Sequence, residues 1–380
     1  MNIIIIKLNI KFNYNNIHLK CIDICIIYYT MSLITKDGSE IYINFNQTNT
    51  YCCFGTDIGF YVYQIAPFKK VISRKIEGGV SMIKMLHESN IFIFVGRTDT
   101  GPYPNHKLII WDDQKKEVLG EISYNCRIRN INITKKYVIV LSQNKLYIYD
   151  FQTLVLQKSI NVQGEQELIS IGLEDSDYII YPGEDIGTIN ITKLSSDYLK
   201  TIKAHKNMIE NLYLSNNGKY IVSASERGTL IRIFDIETGE QLQELRRGYD
   251  PTKINNIRMS EDNAILLVSS IKGTIHLYNT NITENCEEQN VVWDSYGMSY
   301  FKTILPKYFG SQWSFSQIYL NSIVTYSILD STNKTVYSFG NDGQFYEINY
   351  DNHESPVIEK NIKYISEEND PFSERSTTIR

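Results

Sequence analysis

One kind of strand keeps returning along this chain, and its spacing constrains the fold more than any other feature. It begins at Gly59 (GFYVYQ), Lys107 (KLIIWD), Lys145 (KLYIYD), Gly187 (GTINIT), Gly228 (GTLIRIFD), Gly273 (GTIHLYN) and Gly343 (GQFYEIN). These anchors lie 48, 38, 42, 41, 45 and 70 residues apart. Each follows another short apolar strand and a turn, and helical periodicity is almost absent. Glycines at the turns suit tight hairpins, where a positive φ is needed. A period of about 40–45 residues with several strands per unit is the spacing of propeller blades, which bury their faces only by stacking on neighbours. Seven anchors predict an all-β fold, a seven-bladed β-propeller of degenerate WD-type repeats, with Trp111-Asp112 closing one strand. The long last gap predicts an insertion after Gly273.

Composition bounds what such a ring can do. Hydrophobic residues make up 42% and charged residues 21%, inside the globular range. The net charge of −5 argues against a general nucleic-acid binder. Cys21, Cys25, Cys52, Cys53, Cys126 and Cys286 form no CxxC pair, so neither a zinc site nor a disulfide framework is expected, and a reducing cytosol is the default. No cofactor is implied. No window approaches the roughly 18 apolar residues of a membrane span. Residues 1–30 lack the basic region and cleavage site of a signal peptide. They read as a variable extension, or as sequence upstream of a true start at Met31. The propeller is expected over 31–360, with a long loop over 279–310, and residues 361–380 are expected to form a flexible tail.

Between the two best-written repeats, AHKNMIENLYLSNNGKYIVSASERGTLIRIFDIETGEQLQEL and INNIRMSEDNAILLVSSIKGTIHLYN, stands Leu245-Arg246-Arg247-Gly248. Adjacent guanidiniums repel, but neighbours on an extended segment point to opposite sides. Arg246 and Arg247 are therefore expected to serve two separate pockets. Leu245 is expected to anchor the turn in the core and Gly248 to permit its backbone. The structural alternative is that the pair braces blades through Glu240, Glu244 or Asp250.

With these residues in view, the sequence resembles the PROPPINs, β-propellers that bind polyphosphoinositides and serve autophagy. Their signature is a Phe- or Leu-Arg-Arg-Gly motif after the fifth blade. Here it is flanked by AHK (Ala204–Lys206), SERGTLIRIFD and VSSIKGTIHLY. FNQTNTYCCFGTDIGFYVYQIAPF in the first blade and LPKYFGSQWSFSQIYL, read as entering the seventh, extend the likeness over about residues 40–350. The insertion departs from it, being acidic at Glu284, Glu287 and Glu288, and residues 1–30 match nothing in the family pattern.

The resemblance assigns His205, Arg227, Thr229, Arg232 and Arg246 to a first phosphoinositide pocket. It assigns Arg247, Ser269, Ser270, Thr274 and His276 to a second. The residue types suit that role, with always-charged guanidiniums for phosphate and with hydroxyls and imidazoles for the remaining oxygens. Thr274 and His276 share a strand face by period two. Thr229 and Arg232, three apart, need a bulge or a strand end between them. In the insertion, Trp293, Tyr296, Met298, Tyr300 and Phe301 suit a bilayer interface. The implied function is a monomeric scaffold recruited from the cytoplasm to membranes bearing phosphatidylinositol 3-phosphate or the 3,5-bisphosphate. Autophagy proteins are expected on loops of the second and third blades, such as Arg97–Lys107. The alternative is a protein–protein adaptor independent of lipid. An enzyme is not expected, since no GxSxG or HExxH motif and no paired-acid constellation is present.

Overall fold

A computed structural model describes residues 32–34, 40–162, 167–173, 176–280, 282 and 311–364. Every regular element among them is a β-strand, and the strands form seven sheets. The blades span 40–75, 80–123, 128–161, 170–203, 209–246, 254–319 and 324–363, each an antiparallel meander of four strands. The short strand Ser32–Ile34 adds to the inner strand of blade one, Glu40–Phe45. No helix of the described residues is long and apolar enough to cross a membrane.

All seven recurring segments are third strands of blades. They recur because the middle strands are sandwiched between neighbouring blades and must be apolar on both faces. Tyr220–Ser225 in blade five is buried along nearly its whole length, whereas the outer strand of blade two, Glu117–Ser123, is mostly exposed. Apolar contacts seal every junction around the ring. Between blades five and six, Ala224, Ile231 and Leu245 pack on Ile254, Leu266 and Val268.

The junction between blades one and seven differs in kind. Blade seven consists entirely of C-terminal strands and blade one entirely of N-terminal ones, so no strand is exchanged across the seam. Aromatic rings close it instead. Phe45 stacks on Tyr326 with centroids 4.6 Å apart, and Phe68 stacks on Phe345 at 4.0 Å.

Two boundaries read from the sequence move. The outer strand of blade seven runs Val357–Lys363, and buried Tyr364 donates its hydroxyl to the Gly340 carbonyl at 3.1 Å. Residues 361–364 thus belong to the propeller. The stretch LPKYFGSQWSFSQIYL does not enter blade seven: Ser316–Tyr319 pairs with Thr274–Leu277 as the outer strand of blade six. Gln312–Trp313 pairs in parallel with Leu245–Arg246, adding a fifth strand to blade five. The insertion therefore lies between the third and outer strands of blade six. Its residues Trp293, Tyr296, Met298, Tyr300 and Phe301 lie outside the described residues, as do residues 1–30.

Candidate functional site

The Leu245–Gly248 segment ends the outer strand of blade five, Gln241–Arg246. Its register sets Leu245 opposite Ile231, Glu244 opposite Arg232 and Arg246 opposite Leu230. Leu245 is fully buried in the core shared with blade six, so it is the anchor expected of it. Period-two alternation then divides the arginines. Arg246 shares the face of Glu244 and Arg232, which looks toward blade four. Arg247 shares the face of Leu245, which looks toward blade six.

Each guanidinium is held from behind by neutral oxygens. Arg246 donates from Nε to Ser311 Oγ at 3.0 Å, and its guanidinium lies 5.7 Å from the Tyr249 ring centroid. Arg247 donates from Nε to the Gly228 carbonyl at 2.9 Å and from Nη2 to the Asp250 carbonyl, while its amide bonds Thr229 O at 3.0 Å. Glu244 pairs with Arg232 at 2.9 Å, and Asp250 holds Arg247 through its backbone carbonyl while its carboxylate attracts the guanidinium from nearby.

Gly228 is at φ 57°, and a Cβ there would lie 1.8 Å from the Thr252 carbonyl oxygen. Replacing it with alanine is expected to lower stability by about 1–3 kcal/mol and to displace the carbonyl that holds Arg247. Urea denaturation checks the first effect. Gly248 does not fill the role read from the sequence. Its φ is not positive, and a Cβ would meet nothing within 4 Å.

On the blade-four side the structure brings His205, Ser223 and Arg232 together. His205 follows the outer strand of blade four, Leu199–Lys203, and its amide is held by the Gly187 carbonyl at 2.9 Å. Its Nε2 meets Ser223 Oγ at 2.9 Å, and Ser223 is the cross-strand neighbour of Arg232. Arg232 bonds Glu244 and donates to the Ala204 carbonyl at 2.6 Å, so it braces the pocket wall. Thr229 precedes the strand Leu230–Asp235, the strand-end position that its spacing from Arg232 requires. Arg227 is exposed at the hairpin tip.

On the blade-six side His276 meets Ser314 Oγ through Nδ1 at 3.3 Å and stacks near Tyr278. Ser270 and Thr274 share a hydrogen bond of 2.7 Å across the hairpin. The Ser269 hydroxyl is buried and takes no partner among the described residues. Ser223, Ser311, Ser314, Tyr249 and Trp313 were not found by sequence reasoning. Ser223 reaches the site as the cross-strand neighbour of Arg232. Ser311, Ser314 and Trp313 reach the rim only because the chain returns there after the insertion. Tyr249 and Trp313 form a pair beside Arg246, with ring centroids 5.4 Å apart and 78% and 44% exposed.

Both histidines are neutral near pH 7. Burial, reinforced by Arg232, pushes His205 down to about 4; burial, reinforced by Arg247, does the same to His276. A folded value below the ordinary 6.5 means that the unfolded chain takes up the proton first. Each histidine's contribution is therefore present above about pH 6.5 and is lost as pH falls toward 4. Unfolding free energies from urea denaturation across that window are expected to fall less in His276→Gln than in the wild type, by roughly 2–4 kcal/mol at the acid end.

The family model described as PROPPIN matches residues 41–324. Autophagy-related protein 18e of Arabidopsis thaliana is 30% identical over 337 residues, covering 87% of this chain and 88% of its own. SVP1-like protein 2 of Schizosaccharomyces pombe is 32% identical over 252 residues, covering 65% and 69%. Among solved structures, Kluyveromyces lactis Hsv2 superposes with a TM-score of 0.69 at 22% identity, covering 88% of this chain and 99% of that one. The propeller in the complex of KlAtg21 with the coiled-coil of AgAtg16 gives 0.68 at 20% identity, covering 85% and 98%.

Proposed function

Since the chain belongs to the PROPPIN family, we propose that it is a phosphoinositide-reading scaffold of autophagy or related organelle-membrane biogenesis, recruited from the cytoplasm to membranes bearing phosphatidylinositol 3-phosphate. The 3,5-bisphosphate is a second candidate ligand. The observation that carries this reading is the division of Arg246 and Arg247 onto opposite faces of one strand end, Arg246 on the Ser311 hydroxyl and Arg247 near the neutral imidazole of His276. A headgroup phosphate supplies acceptors for the guanidiniums, and the hydroxyls and imidazoles meet its other oxygens. His205, Arg227, Thr229 and Arg246 form the first pocket, with Arg232 as its brace. Arg247, Ser269, Ser270, Thr274 and His276 form the second. Exposed Tyr249 and Trp313 lie where a bilayer surface would meet Arg246, and aromatic side chains suit that interface.

The same reading places a protein partner on another part of the rim. The hairpin tip at Thr98–Pro102 of blade two is exposed and suits such a contact. Co-sedimentation with liposomes tests the reading, using a panel in which only the phosphoinositide changes. Binding should require phosphatidylinositol 3-phosphate or the 3,5-bisphosphate. Indifference to the lipid, with retained capture of a protein partner, would favour a plain adaptor.

A further inference from the structure

The rim does not account for two cations at the centre of the ring. Lys84 is on the inner strand of blade two, Val80–Met85, and Arg258 on the inner strand of blade six, Ile254–Met259. Blades two and six are not neighbours, so residues on their inner strands face each other only across the central channel. Both are the penultimate residue of their strand, as are Asn132 in blade three and Tyr213 in blade five. Together they line one level of the channel.

The protein supplies that level with charge of one sign. Lys84 Nζ donates to Asn132 Oδ1 at 2.6 Å, a neutral partner. Arg258 donates to the Ile257 carbonyl and lies between two rings, 5.2 Å from the Tyr213 centroid and 4.8 Å from that of Tyr326. Neither cation makes an ion pair among the described residues. Elsewhere the balance is kept: Arg129 meets Glu167 at 3.6 Å and Lys253 meets Glu210 at 3.7 Å. The Tyr326 hydroxyl is buried and takes no partner among the described residues. Enclosure by protein, with Arg258 nearby, pushes the Lys84 ammonium down to about 7. Two like charges facing each other between low-dielectric walls concentrate a positive potential where they meet.

We propose that the central channel holds a small oxyanion of the phosphate class between Lys84 and Arg258. A tetrahedral oxyanion accepts from an ammonium and a guanidinium at once, and it offsets a repulsion that the protein's own side chains leave uncompensated. This site is separate from the rim pockets and does not depend on them.

The test is thermal denaturation of the full chain in an Arg246→Thr, Arg247→Thr background, which removes the rim arginines. Inorganic phosphate is titrated against chloride at constant ionic strength, with glycerol 3-phosphate in parallel to separate the free ion from an ester. Phosphate is expected to raise Tm with concentration. Lys84→Gln keeps an amide donor toward Asn132 but removes the charge. It is expected to weaken the apparent phosphate affinity roughly ten- to hundred-fold, the loss of one charge-assisted hydrogen bond. In chloride alone the same variant should melt no lower than its parent, because a repulsion has been relieved. An equal phosphate response with and without Lys84, or a lower Tm in chloride, would overturn the proposal. If Lys84→Gln fails to fold, NMR titration of lysine Nζ in the parent decides. Phosphate must raise the titration midpoint of Lys84 Nζ, and no movement of it refutes the site.

Discussion

Liposomes carrying phosphatidylinositol 3-phosphate are expected to sediment the wild-type chain and to leave an Arg246→Thr, Arg247→Thr variant in solution, with at least a roughly hundred-fold loss of apparent affinity. Each arginine offers charge-assisted hydrogen bonds contributing about 1.5–3 kcal/mol, or roughly ten- to hundred-fold in affinity. Two pockets on one rigid rim act together on a surface, where the first contact raises the effective concentration for the second. Losing one arginine should therefore weaken binding sharply, and losing both should abolish it. Of the carboxylates nearby, Glu244 is held by Arg232, and Asp250 hydrogen-bonds Arg247 through its carbonyl. Both arginines are largely buried, so near-UV circular dichroism and Tm must accompany the assay to show an intact propeller. Equal sedimentation by a folded double variant would sink the lipid reading.

Much of this arrangement was legible in the chain because a blade writes itself locally. The hairpin before each third strand, its apolar run and, in five of the seven, its glycine all fall within a dozen residues, so seven blades follow from one repeated segment. The division of Arg246 from Arg247 follows from the same local rule, adjacency on an extended strand. What stayed hidden depends on returns of the chain. Ser311 and Trp313 lie some 65 residues beyond Arg246, across an insertion that carries no register signal. The same insertion made Ser316–Tyr319 look like the start of blade seven, because a strand pattern does not say which sheet edge it joins. Gly248 misled for a different reason. A glycine after a strand suggests a forced backbone, yet here its φ is ordinary and the space around it is open. Its lack of a side chain leaves the rim uncovered beside both arginines.

The channel pair shows the limit of local reading from the other side. Lys84 and Arg258 each look like an isolated polar residue on an inner strand. Only closure of the ring sets them face to face.

That closure is itself a point of weakness, and Phe339→Ala is expected to lower stability by about 3–5 kcal/mol. Phe339 is fully buried at the seam of blades one and seven. Its ring lies 5.5 Å from Phe45, 5.8 Å from Phe54, 5.9 Å from Phe68 and 5.4 Å from Tyr364. Truncation leaves a cavity among rings too stiff to refill it. Every other junction is also tied by the chain passing from blade to blade, but this one is held by side chains alone. A core truncation elsewhere, such as Leu266→Ala between blades five and six, should cost about 2–5 kcal/mol without freeing a blade. Phe339→Ala should in addition let blade seven open before the rest. Urea denaturation gives the first effect, and hydrogen exchange gives the second, as early loss of protection over 324–363. If Phe339→Ala and Leu266→Ala lose protection uniformly around the ring, the seam is no weaker than the other junctions, and closure is shared by the whole propeller.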